Sequence, residues 1–397
     1  DGKAVIVNAD GTVSVVVSVA QAIGSPAVFE SANTEYPSAA FDSNSNKVVI
    51  AYKDGGNSNY GTAIVGTVSG NTISFGTPVV YVSAVSNWIA ITFDSNANRV
   101  VIGSINGAIV GTVSGTNISF GSIVALGTGT NSPSYTSIAF DSSSNKVVFA
   151  FSDNSNSRYG SAQVGTVSGT SISLGTTVVF EAAETNYIGC TFDSNSNKVV
   201  IGYEDNPNSS AGTAIVGTVS GTSISFGSPV VFRSGTASRV SLAFDSTNNK
   251  VVIIYTHSGV GKGIVGTVSG TSISFGTEAT FHNAGLSAIA IAYDINIQKV
   301  VIVFEGISPA AFGAFTEGTI SGTSIAFSSS VTFASVNIGL WMGITFDSSN
   351  NKIVAVYGNN SNSGYGTSVV YSPATTNLTS ENFIGFTDGA AADTGPA

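Results

Sequence analysis

The chain has 397 residues and a net charge of −10, with only 9% of residues charged, against roughly 25% in average soluble domains. Such scarcity excludes a coiled coil or an ordinary helical protein, while 42% apolar and 10% aromatic content excludes general disorder. Cys190 is the single cysteine, so an internal disulfide and a Cys-ligated metal site are excluded too.

No apolar run reaches the ~18–20 residues of a membrane span. No initiator Met or signal peptide leads Asp1, which suggests a processed chain or a fragment.

In chain order, residues 1–21 come first. GKAVIVNADGTVSVVV reads as a strand, a turn at Ala9-Asp10-Gly11 and a second strand. This stretch is expected to form a β-hairpin or stalk connection outside the main fold.

From residue 22 to residue 376 the text repeats. The string FDS, or a close variant, carries an aromatic anchor at Phe41, Phe93, Phe140, Phe192, Phe244, Tyr293 and Phe346, spaced 52, 47, 52, 52, 49 and 53 residues apart. The unit beginning at Ile188 contains four β-like runs, IGCTF, KVVIGYE, GTAIVGTV and SISFGSPVVF. DSNSN joins the first two runs, because Asp and Asn side chains bond the local backbone and tolerate left-handed geometry. SGT joins the last two as a tight hairpin. Glycines in the third strand, such as Gly66, Gly111, Gly165, Gly217 and Gly266, are expected to mark close approach of one sheet to the next.

Four-stranded units of this length predict an all-β fold, a seven-bladed β-propeller of antiparallel blades. The seventh unit lacks the SISFGSPVVF run, and AIGSPAVFES at residues 22–31 matches it. The last blade is therefore expected to be closed by this N-terminal strand. Residues 377–397 hold one strand-like run and a Gly/Ala tail, an exit segment or linker.

The charges sort by position. Each unit carries an Asp after the anchor and a base five residues later: Asp42 and Lys47, Asp94 and Arg99, Asp141 and Lys146, Asp193 and Lys198, Asp245 and Lys250, Asp294 and Lys299, Asp347 and Lys352. These flank one hairpin and are expected to pair across it, each exposed pair contributing roughly 0–1 kcal/mol. Outside them remain 16 acids and 6 bases, so the acidity lies in the variable parts. Nucleic-acid partners and membrane insertion are not expected, since both nucleic acid and anionic membranes call for clustered Lys and Arg.

In a four-stranded meander the turns after strands one and three share one face, and here they are monotonous. The loops after strands two and four share the other face and differ in every unit. Function is expected on that variable face.

Its aromatic candidates are Tyr60, Trp88, Tyr135, Tyr159, Tyr187, Trp341 and Tyr365. They read either as flat platforms for sugars or protein partners or as wedges between blades. The acids Asp54, Asp153, Glu204, Asp205 and Glu305 read either as glycosidase carboxylates or as caps of their own loops. A sialidase-like site would need clustered arginines, and only Arg158, Arg233 and Arg239 are available, with no Asp-box pattern. His257 and His282 lack an obvious third ligand. The DSNSN turn lacks the glycine and later acid of a Ca²⁺ loop. No metal site, cofactor or catalytic motif is expected.

The run FDSNSNKVVIAYKD, with GTAIVGTVSGTSISFGSPVVF from a later unit, resembles repeats in tail, fibre and other virion-associated proteins of marine bacteriophages. That resemblance implies a structural or receptor-contacting role in a virion or outside the cell. It carries over no catalytic residues. The expectation is a non-enzymatic virion or surface-appendage module that binds a host receptor or glycan through its variable face, including Glu204, Asp205, His257 and Glu305. Its termini would contact other virion or appendage subunits. The alternatives are a purely structural virion or filament subunit and, ranked last, a carbohydrate-active enzyme.

Overall fold

A computed structural model describes residues 4–7, 12–129, 133–376 and 383–386. The described residues are nearly all strand and turn, with one short 3-10 segment at Asn360–Asn362 and no α-helix.

The units, numbered here by their anchors, fold alike. In unit 4 the second half of Val178–Asp193 is the first strand and pairs antiparallel with Lys198–Asp205. That second strand pairs with Ala211–Ser220, the third. The fourth is broken into Ser223–Phe226 and Val230–Thr236, both paired to the third.

Side chains of the Asx turn set this register. Asp193 Oδ1 accepts from the amides of Asn195 and Ser196 at 2.9 and 3.0 Å, and Asn197 takes a left-handed φ of 53°. The counterpart Asp42, Asp94, Asp141, Asp245, Asp294 and Asp347 carboxylates accept from turn amides in the same way.

This corrects the expected Asp–base pairs. Asp and base stand opposite in the ladder, as in Asp193↔Lys198. However, the ion pairs among the described residues join Lys53 to Glu35, Arg158 to Glu184, Arg233 and Lys262 to Glu278, and Lys299 to Glu317. Each repeat Asp is buried against its own turn, where two backbone donors hold it more firmly than a solvated ammonium would.

The second strands read as unbroken apolar runs because both of their faces are covered. Val199, Val200, Ile201 and Tyr203 are fully buried. Apolar clusters lie between successive units: Val148 and Ala150 pack with Val199 and Ile201, and Val216 packs with Val251 and Ile253. Another cluster joins Val48 and Ile50 of the first unit to Val354 and Val356 of the last. The arrangement is of β-propeller type.

The third-strand glycines have a different neighbour from the one expected. A Cβ on Gly217 would lie 2.6 Å from Ile224 Cδ1 and 3.0 Å from the Phe226 ring, both in its own unit. Close approach between units falls instead at the break of the fourth strand, where a Cβ on Gly227 would lie 1.9 Å from the Thr271 carbonyl oxygen of unit 5.

The last unit's third strand, Tyr365–Ser372, pairs with Ala22–Ile23 and with Ala27–Asp42 through Tyr371↔Ile23, Ser368↔Ala27 and Gly366↔Glu30. A Cβ on Gly24 would meet Asn71 O at 1.7 Å, repeating the contact that Gly227 makes with Thr271. Outside the units, Ala4–Val7 pairs with Val13–Val15 and with Phe383–Phe386, and Ser18–Val19 pairs with Thr375–Thr376. The expected turn at Ala9-Asp10-Gly11 and the tail from residue 387 lie outside the described residues.

Candidate functional site

Five residues before the anchor, the first strands of most units depart from regular pairing. The register shifts between Glu35 and Ser38, Ser134 and Ser137, Asn186 and Gly189, and Ser238 and Ser241. At this position Tyr36, Trp88, Tyr135, Tyr187 and Arg239 have φ between 46° and 54°. Bulky side chains adopt positive φ at a cost of about 1–3 kcal/mol each, and such outliers cluster where a side chain must be re-aimed. Ala288 and Trp341 hold the same repeat position in units 6 and 7.

All seven of these residues line one pocket of about 410 Å³, bounded by the starts of all the first strands. The rings form a connected set. Tyr36 lies 4.2 Å from Trp341 and 5.1 Å from Trp88, centroid to centroid. Trp88 lies 4.2 Å from Tyr135 and 5.2 Å, at right angles, from Trp341. Tyr135 continues to Tyr187 at 5.2 Å. Behind them Ile89, Ile188, Val240 and Ile289 complete an apolar wall. Arg239 is the only charged lining residue, with its Nε donating to Ser287 O.

Burial raises the Tyr36 and Tyr135 phenols above their ordinary value, helped by Glu35 at Tyr36 and by Tyr187 at Tyr135. Both phenols are therefore neutral donors and acceptors at physiological pH. At the rim Lys53 bonds Glu35 at 2.8 Å and lies 5.9 Å from the Tyr36 ring centre. Arg158 bonds Glu184 and, at 2.6 Å, Asn186.

The structure divides the candidates. Trp88, Tyr135, Tyr187 and Trp341 converge in the pocket, joined by Tyr36 and Arg239. Platform and wedge describe the same residues, since Tyr36, Tyr135 and Tyr187 also pack on inter-unit clusters. Tyr60, Tyr159 and Tyr365 begin third strands, opposite Val85, Glu184 and Asn33, and stand outside the pocket.

Glu204 and Glu305 occupy the same repeat position and clamp neighbouring units together. Glu204 accepts from Asn186 at 3.3 Å and from Ser238 of unit 5 at 2.9 Å. Glu305 accepts from Ser287 and from the Ile338 amide at 2.9 Å. Being in units 4 and 6, the two carboxyls form no pair.

Asp54 and Asp153 cap their loops, and Asp205 is buried at the end of its strand. His257 meets the Thr236 carbonyl at 2.8 Å, while His282 packs on Phe304 and Phe312. Among the described residues no group of three or more His, Cys, Asp or Glu side chains could hold a metal ion. The arginines do not cluster, because Arg233 is tied to Glu278 and Arg158 stays at the rim.

Sequence reasoning missed Tyr36 and Arg239 as site residues. The signal was a fixed offset of five residues before the anchor, occupied by Tyr, Trp, Tyr, Tyr, Arg, Ala and Trp in turn.

No protein-family model and no curated protein matches the chain. Among solved structures it is similar to a point mutant of the NanB sialidase of Streptococcus pneumoniae, at 10% identity and a TM-score of 0.52, over 87% of this chain and 70% of that one. The same sialidase in complex with 2-[(3-chlorobenzyl)ammonio]ethanesulfonate matches at 11% identity and a TM-score of 0.52, over 87% and 69%. Identity this low shows the fold alone. Even so, it corrects the reading of a non-enzymatic virion or appendage module, because the neighbours are sialidases.

Proposed function

We propose that the chain is a closed seven-bladed β-propeller, completed by residues 22–33, and that it acts on carbohydrate held in the axial pocket. The observation that carries this is the convergence of Tyr36, Trp88, Tyr135 and Tyr187, all at positive φ, with Trp341 into one pocket. Aromatic faces pack against the C–H faces of sugar rings, while phenol and indole groups meet hydroxyls. A volume of about 410 Å³ falls within the ~300–1,000 Å³ of ordinary ligand sites. The low charge of the wall suits a neutral or singly charged sugar better than a polyanion.

A glycan array probed with the wild type and with Trp88→Ala tests the proposal. Binding by the wild type and its loss in the variant is the expected outcome. A blank array, or equal binding by the variant, contradicts it.

Glycoside cleavage is a second reading, for which Glu204, outside the pocket lining, is the candidate acid. Its buried carboxyl is raised above the ordinary carboxylate range by desolvation, and its charge is felt at Tyr135. An upward shift is the direction a general acid requires. Release of reducing ends by the wild type, lost in Glu204→Gln while binding persists, supports cleavage. Absence of turnover on every bound glycan leaves a binding site alone.

A further inference from the structure

A second cavity, of about 190 Å³, lies where the last unit meets the N-terminal strand. Asn33, Thr34 and Glu35 supply one side, Gly339 and Leu340 the approach to the last first strand, and Gly358 and Asn360 the floor and far edge. Leu340 and Trp341 also line the axial pocket, so the two cavities share a wall.

One wall of the cavity has a cause in the sequence. Gly358 holds the repeat position that Lys53, Glu204 and Glu305 fill in other units. With no side chain there, the Thr34 backbone comes so near that a Cβ on Gly358 would sit 2.4 Å from Thr34 O.

We infer that this cavity is a second sugar subsite, extending the axial pocket so that the site takes an oligosaccharide whose chain crosses Trp341 and Leu340. The inference rests on the carbohydrate reading of the axial pocket and adds the length of the ligand. Three features support it. First, Leu340 is 57% exposed beside Trp341, an apolar ridge between two cavities rather than buried packing.

Second, the far side carries hydrogen-bonding groups already held in place. Asn33 Nδ2 donates to Glu35 Oε1 at 3.3 Å, Lys53 Nζ donates to Glu35 Oε2 at 2.8 Å, and Asn360 Nδ2 donates to Asn337 Oδ1 at 2.8 Å. A carboxylate has acceptor capacity beyond one bond per oxygen, and an amide pairs a donor with an acceptor. Vicinal sugar hydroxyls need that combination. Third, a volume of about 190 Å³ is below the ~300 Å³ at which independent ligand sites begin. The cavity is therefore better suited to one residue of a longer chain than to a separate ligand.

The test is titration calorimetry with cello-, manno- and galacto-oligosaccharides, each as monosaccharide, disaccharide and tetrasaccharide. In the series that binds, wild-type affinity is expected to rise roughly tenfold from monosaccharide to disaccharide or tetrasaccharide, the order that one or two added hydrogen bonds supply. Asn360→Ala and Asn33→Ala, both at exposed positions outside the axial pocket, are expected to abolish that rise while leaving monosaccharide affinity within about twofold. Equal affinity at every length, or a length dependence untouched by both variants, overturns the subsite and leaves the axial pocket standing. No binding of any length in any series overturns the carbohydrate reading on which it rests.

Discussion

At the residue scale, the left-handed side chains around the pocket serve as wedges at a cost that wedging alone does not require. A wedge between sheets needs volume, which a residue in ordinary extended backbone supplies without strain. Tyr36, Trp88, Tyr135, Tyr187 and Arg239 accept positive φ instead, and all five line the shared pocket. Arg239 allows the strain to be measured: Arg239→Gly is expected to be more stable than Arg239→Val by about 1–2 kcal/mol, since only glycine occupies this region freely. Urea denaturation midpoints of the two variants check this, and equal midpoints would contradict it.

Glu204 makes a second prediction at this scale. Burial raises its carboxyl above the ordinary 4.5, against hydrogen bonds from Ser238 and Asn186 that lower it. The unfolded chain therefore ionises first as pH rises. The stabilisation is complete below about pH 4.5 and is lost as pH climbs through the raised folded-state value. Thermal midpoints of the wild type should fall across that window, and Glu204→Gln should fall less.

At the element scale, the hairpin turn was legible in outline but not in its chemistry. Asp193 and Lys198 five residues apart gave the turn and the register correctly. Their opposite charges suggested a cross-strand pair, yet the turn amides of Asn195 and Ser196 lie closer to the carboxylate and bind it. The two accounts differ in outcome: Asp193→Ala is expected to cost about 1.5–3 kcal/mol and Lys198→Ala under about 0.5 kcal/mol. Similar costs for both, in chemical denaturation, would restore the ion pair.

The bulge on the first strand was less legible. Nothing in the local composition of TEYPSAAF or SNWIAITF signals positive φ, because Tyr and Trp disfavour it. Only alignment of the units on their anchors exposes the shared offset, and Tyr36 escaped notice for that reason.

At the scale of the whole molecule, the period, the strand order and the match of residues 22–31 to a missing fourth strand could all be read from spacing. The place where units touch could not, since it depends on backbone meeting backbone. Gly227 beside Thr271 O and Gly24 beside Asn71 O are that contact. Gly227→Ala is expected to destabilise the protein by about 1–3 kcal/mol through overpacking, whereas Gly221→Ala meets open space and acts only through its φ. Calorimetric melting distinguishes them, and equal losses would place the tight contact elsewhere. The axial pocket belongs to this scale as well, because no unit contributes more than a sliver of its wall.

The most direct measurement is a crystal structure of the protein soaked with the tightest-binding glycan from the array. The account predicts sugar density on the axis, stacked on Trp88, Tyr135 and Trp341. Density confined to the outer loops near Tyr60, Tyr159 or His257, with the aromatic pocket holding only water, would contradict it.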